Sequence, residues 1–176
     1  AGGMGEKAGT EDIEAGIKSL IREGRAAHQR VPVVNGGNCL GIFSRPGRYD
    51  TTFVPEHKLF SLPRPAKSPY PLVYLSQSGA YMISRMSQIP GVEPAYAVSI
   101  GNQIDLTISD YLNFLKDREE ARVFALYIEG FLPGDGLALV RAAQEIMDQP
   151  GKTIVAYKAG RSAEGRAATA SHTASV

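Results

Sequence analysis

Only one cysteine and no tryptophan occur among the 176 residues. A lone thiol excludes an intrachain disulfide framework, and Cys39 fits a reducing cytosol, so a cytoplasmic location is expected. Charge of one sign is lacking too: nineteen Lys and Arg against eighteen Asp and Glu give a formal net charge of +1. That balance removes the broad basic field on which nucleic-acid binders depend. No apolar run approaches the roughly 18 residues needed to cross a bilayer, and no stretch has the pattern of a signal peptide. Nucleic acid and membrane are therefore not expected as partners. What is present is apolar: 43% of the chain. A domain of this size buries roughly 68–70% of its unfolded surface, so its core needs no disulfide or metal, and no metal site is expected. The chain starts at Ala1 and stops at Ala174-Ser175-Val176 with no closing helix or strand, which reads as a piece of a longer polypeptide.

Apolar runs alternate with amphipathic stretches, the pattern of βαβ units and a parallel sheet. A Gly-rich start, Gly2-Gly3-Met4-Gly5, precedes a helical stretch over about residues 10–27. Thr10 is its expected N-cap, and Ile13, Ile17, Leu20 and Ile21 share one face. Residues 31–34 read as a buried strand ending in Asn35-Gly36-Gly37-Asn38-Cys39. Over residues 44–71 the character changes, because six of the eleven prolines fall there. Proline fixes φ and donates no ladder hydrogen bond, so residues 44–70 read as a linker between two units, 1–43 and 71–176. A cleaner alternation follows the linker. Strands are expected at 72–75, 95–100, 123–128 and 153–157, with helices at about 80–88, around Leu106 to Leu115, and at 136–147. The loop after each of the first three strands carries Gly, Ser or Asn. This is a doubly wound open sheet of flavodoxin-like type, in which ligands sit at the carboxyl ends of the strands. The last eighteen residues differ again: thirteen are Ala, Gly, Ser or Thr. They offer almost nothing to bury, and their one unusual side chain is His172.

Two near-matches to a phosphate-binding P-loop fail. Gly160-Arg161-Ser162-Ala163-Glu164-Gly165-Arg166-Ala167 has Arg and Ala where Lys and Ser or Thr are required. Gly151-Lys152-Thr153 lacks the first glycine and precedes a strand. Gly3-Met4-Gly5 with Ala8 imitates a dinucleotide fingerprint but has no strand before it. Ser76-Gln77-Ser78-Gly79 has the right context, since it falls between a strand and a helix, where backbone N–H groups and the helix dipole favour an anion. Helix capping explains one of its serines and leaves the cluster over. Glu129 ends the apolar strand and stands where a carboxylate can orient an imidazole. It is equally an ordinary solvent-facing or capping acid. His172 stands open between nucleophile and solvated loop residue, while His28 and His57 read as solvated. The order Ser78, Glu129, His172 also matches an α/β-hydrolase triad, but Ser76 and Ala80 occupy the two glycine places of that elbow.

Six short motifs then fall in one order: Asn38-Cys39-Leu40-Gly41, Ser76-Gln77-Ser78-Gly79-Ala80, Gly101-Asn102-Gln103-Ile104-Asp105, Tyr127-Ile128-Glu129-Gly130, Lys158-Ala159-Gly160-Arg161-Ser162 and Ala170-Ser171-His172-Thr173. In this order the chain resembles the ADP-forming acyl-CoA synthetases, relatives of the succinyl-CoA synthetase α subunit. The resemblance implies that residues 1–43 are the closing part of a Rossmann-type CoA-binding domain whose beginning lies outside this sequence. Residues 71–176 are then a flavodoxin-like ligase domain. It implies an active-site histidine at His172 that is phosphorylated in turnover, and an orienting glutamate at Glu129. Ser76, Ser78 and Gly79 would bind phosphate, while Asn38, Cys39, Gly101 and Asn102 would lie along the CoA and substrate path. CoA and a carboxylic acid are the implied ligands. ATP or ADP and Mg²⁺ would bind an ATP-grasp (β-type) domain or subunit outside this chain, within an oligomer.

Two positions depart from the family pattern. Gly37 replaces the proline of Gly-Pro-Asn-Cys, and Ala174 replaces the glycine of Ser-His-Thr-Gly. A Cβ at position 174 penalises φ > 0 and stiffens the loop. The implied reaction interconverts carboxylic acid, CoA and ATP with acyl-CoA, ADP and phosphate, through an acyl phosphate and a phosphohistidine. The competing readings are an inactive relative that binds acyl-CoA as a regulatory module, and the serine hydrolase.

Overall fold

The computed structural model describes residues 11–59, 70–89, 91–160 and 162. Along the chain run α1 (Glu11–Ala26), β1 (Ile42–Ser44), β2 (Tyr49–Asp50), α2 (Glu56–Leu59), β3 (Tyr70–Ser76) and α3 (Gly79–Gln88). There follow β4 (Pro94–Ser99), α4 (Ile108–Leu115), β5 (Val123–Ile128), α5 (Asp135–Met147) and β6 (Thr153–Lys158). Local chemistry sets several of these boundaries. At the start of α4 the Asp110 carboxylate reaches back to accept the Thr107 N–H at 2.9 Å, half of a capping box. The chain enters α5 through Gly134 at φ +85°, a left-handed turn that favours glycine.

All six strands form one sheet in the order β2-β1-β4-β3-β5-β6. β4, β3, β5 and β6 are mutually parallel, while β1 pairs antiparallel with both β4 and β2. Numbering the parallel strands by their order in the chain gives 2-1-3-4, the flavodoxin-like winding. Winding out in both directions from β3 makes a crevice at the carboxyl ends of the strands. Because side chains alternate across a strand, each strand feeds two cores. Val73, Leu75, Val98, Phe124, Leu126 and Ile128 pack with Ile108, Leu112, Leu115, Ala142 and Ile146 of α4 and α5. On the opposite face, Tyr74 and Ala97 pack with Met82 and Met86 of α3 and Leu59 of α2. Both strand faces being apolar explains why β5 is a continuous apolar run instead of an alternating one. A wholly buried ring such as Phe124 is worth about 3–5 kcal/mol against truncation to Ala.

The second core stops short of the sheet edge. Tyr81, Tyr127 and Tyr157 stack across it, the first two with ring centroids 3.8 Å apart. Val155 and the outermost ring, Tyr157, both on β6, stay exposed.

Two expectations are corrected. Residues 31–34 form no strand: Pro32 cannot donate to a ladder, Val33 is 66% exposed, and the Val34 N–H is taken by the Asp105 carboxylate at 3.0 Å. Nor is the Pro-rich stretch free of regular structure. Ser44, β2 and α2 lie within it, and β1 carries the chain onto the sheet from residue 42. Prolines 46 and 55 flank these short elements and do not enter them. Thr10, the expected cap of α1, lies outside the described residues. Only part of the expected apolar face of α1 is covered: Ile21 is buried, while Ile13 and Leu20 are exposed.

Burial pushes the Tyr96 and Tyr127 hydroxyls up to about 12, helped in Tyr96 by the carboxylate of Glu120 and in Tyr127 by that of Glu129. Burial also raises Tyr74 and Tyr111. The folded state therefore holds these protons more tightly than the unfolded chain, whose tyrosines titrate near 10. Their contribution to stability is complete below about pH 10 and is lost as pH rises through about 12. Thermal midpoints measured from pH 8 to 12 should fall steeply above 10, and the Tyr96→Phe protein should fall less.

Candidate functional site

The carboxyl ends of the parallel strands are overlaid by the segment between α1 and β1. Here main chain lies directly on main chain. A Cβ at Gly36 would sit 2.1 Å from the Ile100 carbonyl oxygen, and one at Gly101 would sit 2.2 Å from that of Gly37. Gly101 also has φ +64°. Glycine at both positions lets the two loops touch, and hydrogen bonds then tie them. The Asn102 N–H donates to the Gly37 carbonyl at 3.0 Å, the Ser99 N–H to that of Gly41 at 3.0 Å, and the Leu106 N–H to that of Val34 at 3.1 Å. Side chains complete the seam. Asn35 donates its amide to the Ser99 carbonyl at 2.9 Å, and the buried Ser99 hydroxyl accepts the Leu40 N–H at 2.9 Å. Asp105 accepts from both guanidinium nitrogens of Arg25, at 2.7 and 2.8 Å, as well as from Val34. This seam carries Asn38, at φ +52°, and Cys39 over the rim.

The turn from β3 to α3 spends both its serines on itself. Ser78 is the N-cap, its hydroxyl accepting the Tyr81 N–H at 3.2 Å. The fully buried Ser76 hydroxyl donates to the Ser78 carbonyl at 2.7 Å and accepts the Ser78 N–H at 3.2 Å. The cluster that capping alone left over is thus a hydroxyl-closed turn. At the start of α3, helix geometry leaves the N–H groups of Gly79 and Ala80 without intrahelical acceptors. Ser78 has φ −105° and ψ 119°, an unstrained extended backbone. That differs from the sharp elbow a hydrolase serine requires.

Glu129 leaves the end of β5 only 7% exposed. Its main chain is held on both sides: the N–H donates to the Gln77 Oε1 at 2.5 Å, and the carbonyl accepts the Lys158 Nζ at 2.6 Å. Tyr127 hydrogen-bonds the Glu129 side chain, which is one reason the tyrosine resists ionisation. Gln77, itself buried, makes two more bonds to Gly130.

Asn38, Cys39, Ser78, Gly79, Asn102 and Glu129 come together around one cleft of about 320 Å³, whose other walls include Leu40, Phe53, Gln77 and Ile83. Ser76 and Gly101 are not in its lining; they shape the loops beneath it. His172 lies outside the described residues, as do Arg161 and Arg166. Four contributors went unread in the sequence: Gln77, Ser99, Asp105 and Lys158. Gln77, Asp105 and Lys158 lay inside motifs already singled out. Only three-dimensional pairing shows that these side chains serve distant backbone groups. Among the described residues no group of three or more His, Cys, Asp or Glu is placed to hold a metal ion.

A family model described as the succinyl-CoA ligase-like flavodoxin domain matches residues 71–176. The chain is 33% identical over 174 residues to the alpha subunit of ADP-forming acetate–CoA ligase I from Pyrococcus furiosus, covering 93% of this chain and 35% of that subunit. It is 31% identical over 187 residues to ADP-forming acetate–CoA ligase I from Archaeoglobus fulgidus, covering 97% of this chain and 25% of the relative. Among solved structures, the dinucleotide-forming acetyl-coenzyme A synthetase 1 of Ca. Korarchaeum cryptofilum, in complex with phosphate and ADP, matches with a TM-score of 0.76. The identity is 31%, over 100% of this chain and 34% of that one. The chain thus spans between 25% and 35% of the length of these three proteins.

The seam can be weighed by its two kinds of bond. Arg25 is half exposed, and an exposed ion pair contributes about 0–1 kcal/mol. Leaving the half-buried Val34 N–H without its acceptor costs about 1–3 kcal/mol. In urea unfolding, Asp105→Ala should therefore destabilise more than Arg25→Ala, and amide exchange over residues 31–40 should quicken only in the former. Equal losses would assign the seam to the ion pair.

Proposed function

The chain belongs to the succinyl-CoA ligase-like flavodoxin-domain family, and from that membership and the rim geometry we propose that it is the α-type portion of a nucleoside-diphosphate-forming acyl-CoA ligase. The proposed reaction interconverts a carboxylic acid, CoA and ATP with acyl-CoA, ADP and phosphate. The observation that carries it is the cleft lined by Asn38, Cys39, Ser78, Gly79, Asn102 and Glu129, gathered from four separate loops.

Each proposed role follows from chemistry available at the rim. The start of α3 supplies backbone N–H groups and a positive dipole end for a phosphate or the phosphoryl part of an acyl phosphate. His172 is the nucleophile: a ring nitrogen attacks the phosphorus, the bond from phosphorus to the acyl oxygen breaks, and the carboxylate departs. Imidazole does this when neutral, and a carboxylate on its other nitrogen selects the tautomer and stabilises the cation that forms. Glu129 takes that part, with Gly79 and Ala80 lining the same cleft. Arg161 and Arg166 offset phosphoryl charge. Asn38 and Cys39 stand toward the thiol end of CoA, and Gly101 and Asn102 shape the same wall. ATP or ADP and Mg²⁺ belong to an ATP-grasp domain or subunit, in an oligomeric assembly in the cytoplasm. No helix among the described residues is long and apolar enough to cross a membrane. In this reading residues 1–43 close a CoA-binding Rossmann-type unit, 44–70 connect, and 71–176 form the ligase domain.

The assembled enzyme, incubated with labelled ATP and Mg²⁺, should carry acid-labile, base-stable label on the peptide containing His172. His172→Ala should abolish labelling and turnover. Glu129→Gln should reduce both by ~10²–10⁴-fold, the range of orienting and acid–base groups. Normal turnover in the His172→Ala enzyme would sink the mechanism, and a folded enzyme without label would favour the regulatory reading.

The anion site has its own test. Asp is as good an N-cap as Ser, so Ser78→Asp should keep α3 while placing a negative charge at its start. Phosphate binding measured by calorimetry should disappear in that variant. Unchanged affinity would move the anion elsewhere.

A further inference from the structure

From the turn between β3 and α3 the side chain of Gln77 reaches the end of β5. It is 3% exposed, and both ends of its carboxamide are engaged by the main chain there. Oε1 accepts the Glu129 N–H at 2.5 Å and the Gly130 N–H at 2.9 Å, while Nε2 donates to the Gly130 carbonyl at 2.8 Å. Two donors at one end and an acceptor at the other fix the orientation of the amide. The backbone of Gln77 adds a fourth link, donating its N–H to the Tyr127 carbonyl at 3.1 Å.

These bonds discriminate among side chains. Asn is one methylene too short to span the same gap. Met fills the volume and leaves three main-chain groups without their partner. Glu keeps an acceptor for the two N–H groups but turns an oxygen toward the Gly130 carbonyl, where a donor is needed. Capping of α3 is done by Ser78, and closure of the turn is done by Ser76. Neither local task calls on Gln77. What its side chain does is span to the end of β5 and hold the peptide groups from which the Glu129 carboxylate springs.

We propose that Gln77 is a positioning residue that sets the distance between the anion turn and the Glu129 carboxylate. This deepens the ligase reading above and rests on it. Lys158 grips the Glu129 carbonyl from β6 at 2.6 Å, so with Gln77 in place both peptide groups of Glu129 are held. Beyond its main chain, its carboxylate is engaged by Tyr127. A carboxylate so held can meet an imidazole without drifting toward the anion that it would repel. Misplacement of a reacting group by about 1 Å can cost about 10²-fold in rate.

The test compares the assembled enzyme with its Gln77→Met and Gln77→Glu variants, measuring kcat, KM for CoA and for the acid, the kcat–pH profile and the thermal midpoint. Gln77→Met should lower kcat about 10–100-fold with both KM values within about twofold, since the loss falls on the chemical step. Gln77→Glu sets a second carboxylate against the Glu129 turn, and like charge should carry the acid limb of kcat upward by about one pH unit. A residue that only supports folding would leave the limb in place once activity is expressed per folded molecule. Gln77→Met with wild-type kcat, or Gln77→Glu with an unmoved limb, would overturn the positioning role while leaving the ligase reading intact. Loss of the fold in both variants would make Gln77 a structural residue and overturn it too. A parent enzyme that makes no acyl-CoA and takes no label on His172 would sink both readings.

Discussion

Where the segment between α1 and β1 crosses the ends of the parallel strands, two backbones are pressed together with no side chain between them. Gly36 and Gly101 make this approach possible, because a Cβ at either would lie little more than 2 Å from a carbonyl oxygen of the other loop. The rest of the rim depends on that contact. It orders residues 34–41 without giving them strand partners, and it sets Asn38 and Cys39 over the helix start at Ser78. A methyl group at position 101 would also have to accept φ +64°, a conformation that side chains with a Cβ rarely adopt. Two penalties would then fall on the same turn.

Below the rim the core is apolar; at the rim it is polar and still buried. Ser76, Gln77, Ser99, Asn102 and Glu129 are each at most 7% exposed. Burying an amide or hydroxyl without partners costs roughly 2–7 kcal/mol against water, so such a layer survives only if its groups find one another. Several do so across elements: Ser99 of β4 with Leu40, Gln77 of the β3 turn with Glu129 and Gly130, Lys158 of β6 with Glu129. These bonds contribute little net stability individually, about 0.5–1.5 kcal/mol each. Their consequence is geometric. Loops from β3, β4, β5 and β6 are locked in register with one another, as the proposed transfer of an anion at this rim requires.

Charge is used sparingly in this layer. The Lys158 ammonium is directed to the carbonyls of Glu129 and Ala159, and the Glu129 carboxylate is met by the hydroxyl of Tyr127. A neutral hydroxyl steadies a buried carboxylate without cancelling its charge. The chain's near-zero net charge leaves no strong overall field, so in the proposed reading the attraction for an anion comes from the local dipole at the start of α3.

How much of this was legible beforehand divides along physical lines. β5 was read with its observed bounds because a six-residue apolar run buried on both faces is written in local composition. α3 and α5 were read within a residue of their observed bounds. Ser78, Asn102 and Glu129 were singled out because each stands just past the end of a strand, whereas Asn38 came only from the family resemblance. Residues 31–34 misled for the complementary reason: an apolar run states that it prefers burial and says nothing about which ladder, if any, has room for it. That decision was tertiary, made by Asp105, a residue 71 positions from Val34 that captures its N–H. Ser44, β2 and α2 were hidden in the same way, because prolines marked the stretch as irregular while β4 offered β1 a free edge. Gln77 looked like one more polar loop residue beside two serines. The role proposed for it exists only because folding brings the main-chain N–H groups of Glu129 and Gly130, 52 and 53 residues away, to within reach of its carboxamide. Element type follows from local pattern; partnership follows from which buried donors and acceptors the fold leaves facing each other.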